Sequence, residues 1–174
     1  MPASAARGPA LRAIIVAVPL LELLGGAAAR LGGTVANNPW YDQLALPAAQ
    51  PPGPVFGIAW GVLYALMGIA AALVWATPVR WRTIALLLFA AQLALNLAWA
   101  PLFFREHQIF YALVLLGTIW LAALVTTLAF GRVNRVAAWL MLPYMVWLSF
   151  AAALNFDLWQ LNPHGGPTAI AQDR

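Results

Sequence analysis

Gln92, Asn96 and Trp99 recur at i, i+4 and i+7 inside a run that is otherwise mostly Leu and Ala. That spacing puts three side chains on one face of a helix. Tyr144, Trp147, Ala151 and Asn155 repeat the arrangement in a later apolar run. Phe56, Trp60, Tyr64, Met67 and Ala71 form an aromatic stripe in an earlier one. Amides in hydrocarbon are unfavourable unless they have partners. They either bond one helix to another, at about 0.6 kcal/mol on average, or they face a cavity. Flat aromatic walls with a few orienting amides suit a planar, apolar or polycyclic ligand.

Other chemistries lack their residues. There is no cysteine, so disulfides, thiolate metal sites and cysteine nucleophiles are excluded. His107 and His164 are both in predicted loops, with no second histidine at helical spacing for a metal or bis-histidine haem. Ser149 has no histidine–acid pair in reach by sequence, no Gly-rich phosphate loop occurs, and no paired carboxylates lie at membrane depth. Glu22 stands alone in the first apolar run; it reads as protonated, as paired with an arginine near a helix end, or as a proton site.

The elements that carry these residues follow from composition. Of 174 residues 64% are hydrophobic and 8% charged, where a soluble domain carries roughly 25% charged. The bilayer is therefore the solvent. Five segments reach the length of about 20 apolar residues that a spanning helix needs: Ala13–Leu31, Val55–Ala76, Thr83–Phe104, Ile109–Phe130 and Val136–Leu158. Residues 1–162 read as one all-α, five-helix membrane domain, and 163–174 as a short tail. Gly32–Pro54 holds Pro39, Pro47, Pro51, Pro52 and Pro54, so it cannot be one helix and reads as a cap over one mouth of the bundle. The first segment has a rival reading as a signal peptide, from Arg7, Arg12 and Ala27-Ala28-Ala29, but the apolar stretch continues past Gly25-Gly26 and favours a retained helix.

All nine basic side chains are arginine. They are too scattered for nucleic acid, and their segregation sets topology instead. Arg7, Arg12, Arg80, Arg82, Arg132 and Arg135 fall on one side with no acid. Arg30, Arg105 and Arg174 fall on the other with Asp42, Glu106, Asp157 and Asp173. This places the N-terminus in the cytoplasm and the first loop and C-terminus opposite. Trp75, Trp81 and Trp139 then read as cytoplasmic interface anchors, and Trp40 and Trp159 as anchors on the other side. With alternating helix directions, Trp60, Asn96, Trp99 and Asn155 share the non-cytoplasmic half, under the proline-rich loop, with Trp147 deeper as a floor. Ala90, Ala94 and Ala98 lie roughly opposite the amide face, a ridge suited to close helix–helix approach within the chain or across a dimer.

The residues also resemble a known family. Trp40-Tyr41-Asp42-x-Leu44-x-x-Pro47, Pro51-Pro52 and Phe56-x-x-x-Trp60-x-x-x-Tyr64 are similar to the signature of the TspO/MBR family, the tryptophan-rich sensory proteins and translocator proteins. Ala91-Gln92-Leu93-x-Leu95-Asn96-x-x-Trp99 with Phe103-Phe104, and Pro143-Tyr144-x-x-Trp147 with Leu154-Asn155, match further on, in the same order. The resemblance implies five helices, a pocket capped by the first loop, and a homodimer. It implies a receptor or sensor that binds porphyrins such as protoporphyrin IX or haem, with no required cofactor and no metal, and with isoquinoline or benzodiazepine drugs and sterols as further ligands of the family. Tyr41, Tyr64, Asn96 and Asn155 would line the pocket. Trp60 and Trp147 would stack on the ligand or, in a light- and oxygen-dependent porphyrin-degrading enzyme, carry the chemistry. A scaffold whose amides only hold helices together is the third class. The chain departs from the family pattern in the cap, where Leu46 replaces a lysine and Ala48-Ala49-Gln50 a Trp-rich stretch. In the fifth helix Leu154, Phe156 and Gln160 do not complete a sterol motif.

Overall fold

The computed structural model describes residues 7–163 and 165. It is all-helical across them. The five long helices are α1 (Arg7–Gly32), α2 (Gly53–Trp75), α3 (Arg82–Ala100), α4 (Ile109–Val133) and α5 (Arg135–Leu161). Each is long and apolar enough to cross a bilayer, α3 together with the turn that follows it. In hydrocarbon a segment must satisfy its own backbone, and the helix does so internally. The ends follow local chemistry. Pro54 occupies the first turn of α2, where its missing N–H is no loss. Asn134 caps α5 through Oδ1, accepting from Val136 N at 2.9 Å and Ala137 N at 3.2 Å.

The third segment departs from the uninterrupted helix expected through Phe104. α3 stops at Ala100, and Pro101–Arg105 forms a π-helical turn in which Glu106 N donates to Pro101 O at 3.0 Å. Pro101 has no N–H to continue the α ladder, so the backbone widens there. The turn aims Phe103 and Phe104 toward the cap; Phe103 stacks on Trp99 with centroids 4.8 Å apart.

The helices close into a ring in the order α1, α2, α5, α4, α3, with α3 and its turn returning to α1. Glycines permit the α1 contacts. At Gly68 a Cβ would stand 2.9 Å from Val18 Cα, and at Gly32 2.5 Å from Pro101 N. The core holds Met67, Ile119, Met141, Tyr144 and Leu148, all fully buried. The amide face of α3 turns inward, with Gln92 and Asn96 buried, while Ala90, Ala94 and Ala98 are exposed along the outside of the chain.

The cap is ordered by side chains rather than by long secondary structure. It contains one 3₁₀ turn, Tyr41–Gln43. Asn38 Oδ1 accepts from Tyr41 N at 3.1 Å, and Asn38 Nδ2 donates to Phe104 O at 3.4 Å. Asn162, at the end of α5, exchanges two hydrogen bonds with Ala45, at 3.1 and 3.0 Å. Trp40, expected at the membrane interface, is instead buried under the cap, stacked on His107 at 4.3 Å and edge-on to Phe103. The tail assigned to 163–174, with His164, Asp173 and Arg174, lies outside the described residues apart from Pro163 and Gly165, as does the Arg7 side chain.

Candidate functional site

Beneath the cap lies a cavity of about 470 Å³, walled by α1, α2, α5, the end of α3 and two residues of α4, Leu116 and Ile119. Sites for drug-sized ligands run roughly 300–1,000 Å³. Tyr41, Trp60, Tyr64, Asn96, Trp99, Trp147, Ala151 and Asn155, all singled out from the sequence, line it, and Phe56 of the α2 stripe joins them. Gln92 and Tyr144 do not. Both are fully buried behind Asn96, one helix turn farther from the cap, where they support the wall rather than form it.

That support is a hydrogen-bonded chain across three helices. Tyr64 OH donates to Asn96 Oδ1 at 3.0 Å, Asn96 Nδ2 donates to Tyr144 OH at 3.1 Å, and Tyr144 OH donates to Gln92 Oε1 at 3.0 Å. The amides thus act as helix glue and as cavity wall together. A connected set of this kind fixes each member's rotamer, so Asn96 presents one defined edge to the cavity. Asn155 Oδ1 and Gln92 Nε2 are buried without a partner.

The tryptophans occupy different stations. Trp60 leans on Tyr64 (centroids 5.3 Å) and Tyr144 (6.4 Å), in the α2 wall one turn nearer the cap than Tyr64. Trp147 meets Phe56 edge-on at 5.8 Å and Phe150 at 5.7 Å, so it forms part of the side wall with the first turn of α2 rather than the floor. Trp99 is fixed by donating Nε1–H to Ala112 O at 3.1 Å. In the cap, burial pushes the Tyr41 phenol up to about 12, and the neighbouring Asp42 charge adds to the shift. Leu46, Ala48 and Ala49 are exposed on the cap and do not line the cavity, whereas Gln50 does. Among the described residues no group of three His, Cys, Asp or Glu side chains could hold a metal.

Sequence reasoning missed two parts of the site. Glu22, read as isolated, lines the cavity from α1. Gly25 and Gly26 of α1 and Gly57 and Gly61 of α2 line it as well. The i, i+4 spacing of Gly57 and Gly61 was the available signal, since small residues at that spacing mark where a membrane helix opens to a close neighbour or a ligand.

Residues 15–160 match the model of the TspO/MBR family. The chain is 35% identical over 141 residues to protein CrtK of Rhodobacter capsulatus, covering 80% of this chain and 88% of that one. It is 42% identical over 129 residues to the translocator protein of Homo sapiens, covering 72% and 76%. It is 38% identical over 139 residues to the tryptophan-rich protein TspO of Chlorobaculum tepidum, covering 76% and 87%. With five spanning helices and a match over most of its length, this chain is an integral, multi-pass membrane protein and belongs to the TspO/MBR family.

Proposed function

We propose that this protein is a receptor of the sensor type that holds a flat, apolar tetrapyrrole, such as protoporphyrin IX or haem, in the capped cavity. The observation that carries the reading is the convergence of Trp60, Trp147 and Asn155 from α2 and α5 on one cavity closed by the cap. Stacking on an aromatic side chain adds about 0.5–1.5 kcal/mol beyond area burial, which favours flat ligands over sterols. The family's sensory and translocator members support a role in tetrapyrrole sensing, sequestration or transport. No separate cofactor is needed for that role. Isoquinoline- and benzodiazepine-type drugs are ligands of comparable shape.

The test is quenching of tryptophan fluorescence by protoporphyrin IX, haem and a sterol, with the intact protein in detergent. Saturable quenching by the flat rings and none by the sterol is expected. Asn96→Ala should weaken binding, because it leaves the Tyr64 hydroxyl in the cavity wall without its acceptor, at about 1–3 kcal/mol for a buried unpaired group, while Tyr144 keeps its bond to Gln92. Absence of saturable quenching by either ring would leave the amides as helix glue and the protein as a scaffold. Illumination separates binder from enzyme. We expect bound porphyrin to bleach no faster than in a detergent blank; faster loss that Trp147→Phe abolishes at unchanged affinity would make Trp147 chemical. The arginine segregation supports a cytoplasmic N-terminus and an opposite cap, which labelling of a cysteine placed at Ala48 would check.

A further inference from the structure

The cavity has a polarity that its aromatic walls do not set. Glu22, from the middle of α1, is the only charged side chain among its described lining residues. Among the described residues no arginine or histidine lines it, and the chain has no lysine. Glu22 lies on the inner side of α1, one turn before Gly25, which carries the ring of Tyr64. The nearby amide of Asn96 is committed, accepting from Tyr64 and donating to Tyr144. The amide of Asn155 is not: it is 4% exposed, lines the cavity, and its Oδ1 has no partner. A half-turn of that amide exchanges its oxygen and nitrogen without breaking a bond to the oxygen.

We infer that the cavity selects by charge: Glu22 makes it a site for flat apolar molecules that are neutral or cationic and bear N–H donors, and it disfavours polyanions of the same shape. In either protonation state the carboxyl of Glu22 has an oxygen that accepts a hydrogen bond. Ionised, it repels a ligand carboxylate inside a low-dielectric space and attracts an ammonium. Protonated, it still supplies no cation to neutralise a ligand anion, and an unpaired buried charge is strongly unfavourable. The Oδ1 of Asn155 offers a second acceptor for a ring or amine N–H. This rests on the binding reading above and narrows it: protoporphyrin IX and haem each carry two carboxylates, so among flat tetrapyrroles the cavity takes these diacids less tightly than forms whose carboxylates are esterified or absent.

The experiment compares three probes of similar flatness on the intact protein at pH 7: protoporphyrin IX, which carries two carboxylates, its dimethyl ester, and a cationic aminoacridine. Wild type is expected to bind the diester about tenfold more tightly than the diacid, a modest charge–charge effect. Glu22→Gln, of the same size, should tighten the diacid about tenfold, leave the diester unchanged and weaken the cation. Glu22→Asp, keeping the charge, should keep the wild-type order. Equal affinity for diacid and diester in wild type, or a shift of all three probes alike in Glu22→Gln, overturns the inference. If Glu22→Gln does not fold by circular dichroism, the wild-type ratio of diester to diacid decides alone. Saturable binding without charge preference overturns only this inference, whereas no saturable binding of any probe overturns the binding reading with it.

Discussion

The ring of Tyr64 rests on the bare Cα of Gly25: a Cβ there would collide with Cε2 and stand 2.7 Å from Cδ2 and Cζ. That contact lets Tyr64 lie against α1 and still reach Asn96 at 3.0 Å, so a backbone position on the first helix sets the geometry of an amide on the third. Gly25→Ala should push the ring away, break the Tyr64–Asn96 bond and destabilise the fold by about 1–3 kcal/mol, the usual range for overpacking. Gly26→Ala is the internal control, because a Cβ there meets nothing within 4 Å. Thermal unfolding in detergent checks both; equal melting of the two variants would show that the ring has room to shift.

The ridge of Ala90, Ala94 and Ala98 is left exposed by the described residues of the chain. In a bilayer, ridges of small residues associate by close backbone approach rather than by hydrophobic burial. A homodimer across this ridge is the assembly we propose, with lipid covering the remaining outer faces. Ala94→Leu should weaken it, shifting cross-linked protein in detergent from dimer to monomer, with ligand affinity largely unchanged, because Ala94 is absent from the cavity lining. An unaltered dimer would point to a different face.

Much of the site was legible because membrane sequences constrain polar residues severely. Gln92, Asn96 and Asn155 could be placed inward from spacing alone, since hydrocarbon gives an outward amide nothing to bond. What the spacing could not separate was wall from support. Asn96 and Gln92 share one face of α3, yet only Asn96 meets the cavity, because Tyr144 on α5 fills the space beside Gln92. The role of Trp40 was equally hidden: an aromatic next to a loop is an interface anchor by default, and only the π turn after Pro101 brings Phe103 and His107 round to bury it. Glu22 was visible as a residue but not as a neighbour of Tyr64, since helix–helix register between α1 and α2 is set by glycines that carry no side-chain signal.

Alkaline pH should loosen the cap. Tyr41 is buried there, and its phenol titrates near 12 instead of its ordinary value of 10. A raised pKa means that the native state holds the proton more tightly than the unfolded chain. Its contribution to stability is therefore complete below pH 10 and is lost as pH rises through 12. Melting temperature should fall across that window, and Tyr41→Phe, which has nothing to ionise, should fall less steeply. Parallel curves for the two proteins would show that Tyr41 does not govern the alkaline transition.

Among the described residues Asn162 is the side chain that ties the cap to the end of α5 through paired hydrogen bonds. Its Oδ1 accepts from Ala45 N, and its Nδ2 donates to Ala45 O at 3.0 Å and Leu158 O at 2.8 Å. Ala45 lies two residues after the Tyr41–Gln43 turn and eight before the start of α2, so this pair holds a part of the cap that Asn38 does not bond. Each bond contributes about 0.5–1.5 kcal/mol net, too little to unfold a five-helix bundle but enough to change how often the cap opens. Asn162→Ala should therefore raise the dissociation rate of a bound ring about tenfold while helix content stays constant. Asn162→Asp, which keeps the acceptor for Ala45 N and loses the donor, should fall between the two. Stopped-flow displacement of a fluorescent porphyrin reads the rate directly. An unchanged dissociation rate in Asn162→Ala would mean that the ligand leaves by a route that does not lift the cap, such as the gap between α1 and α2 beside Gly26 and Gly57, both exposed and both lining the cavity.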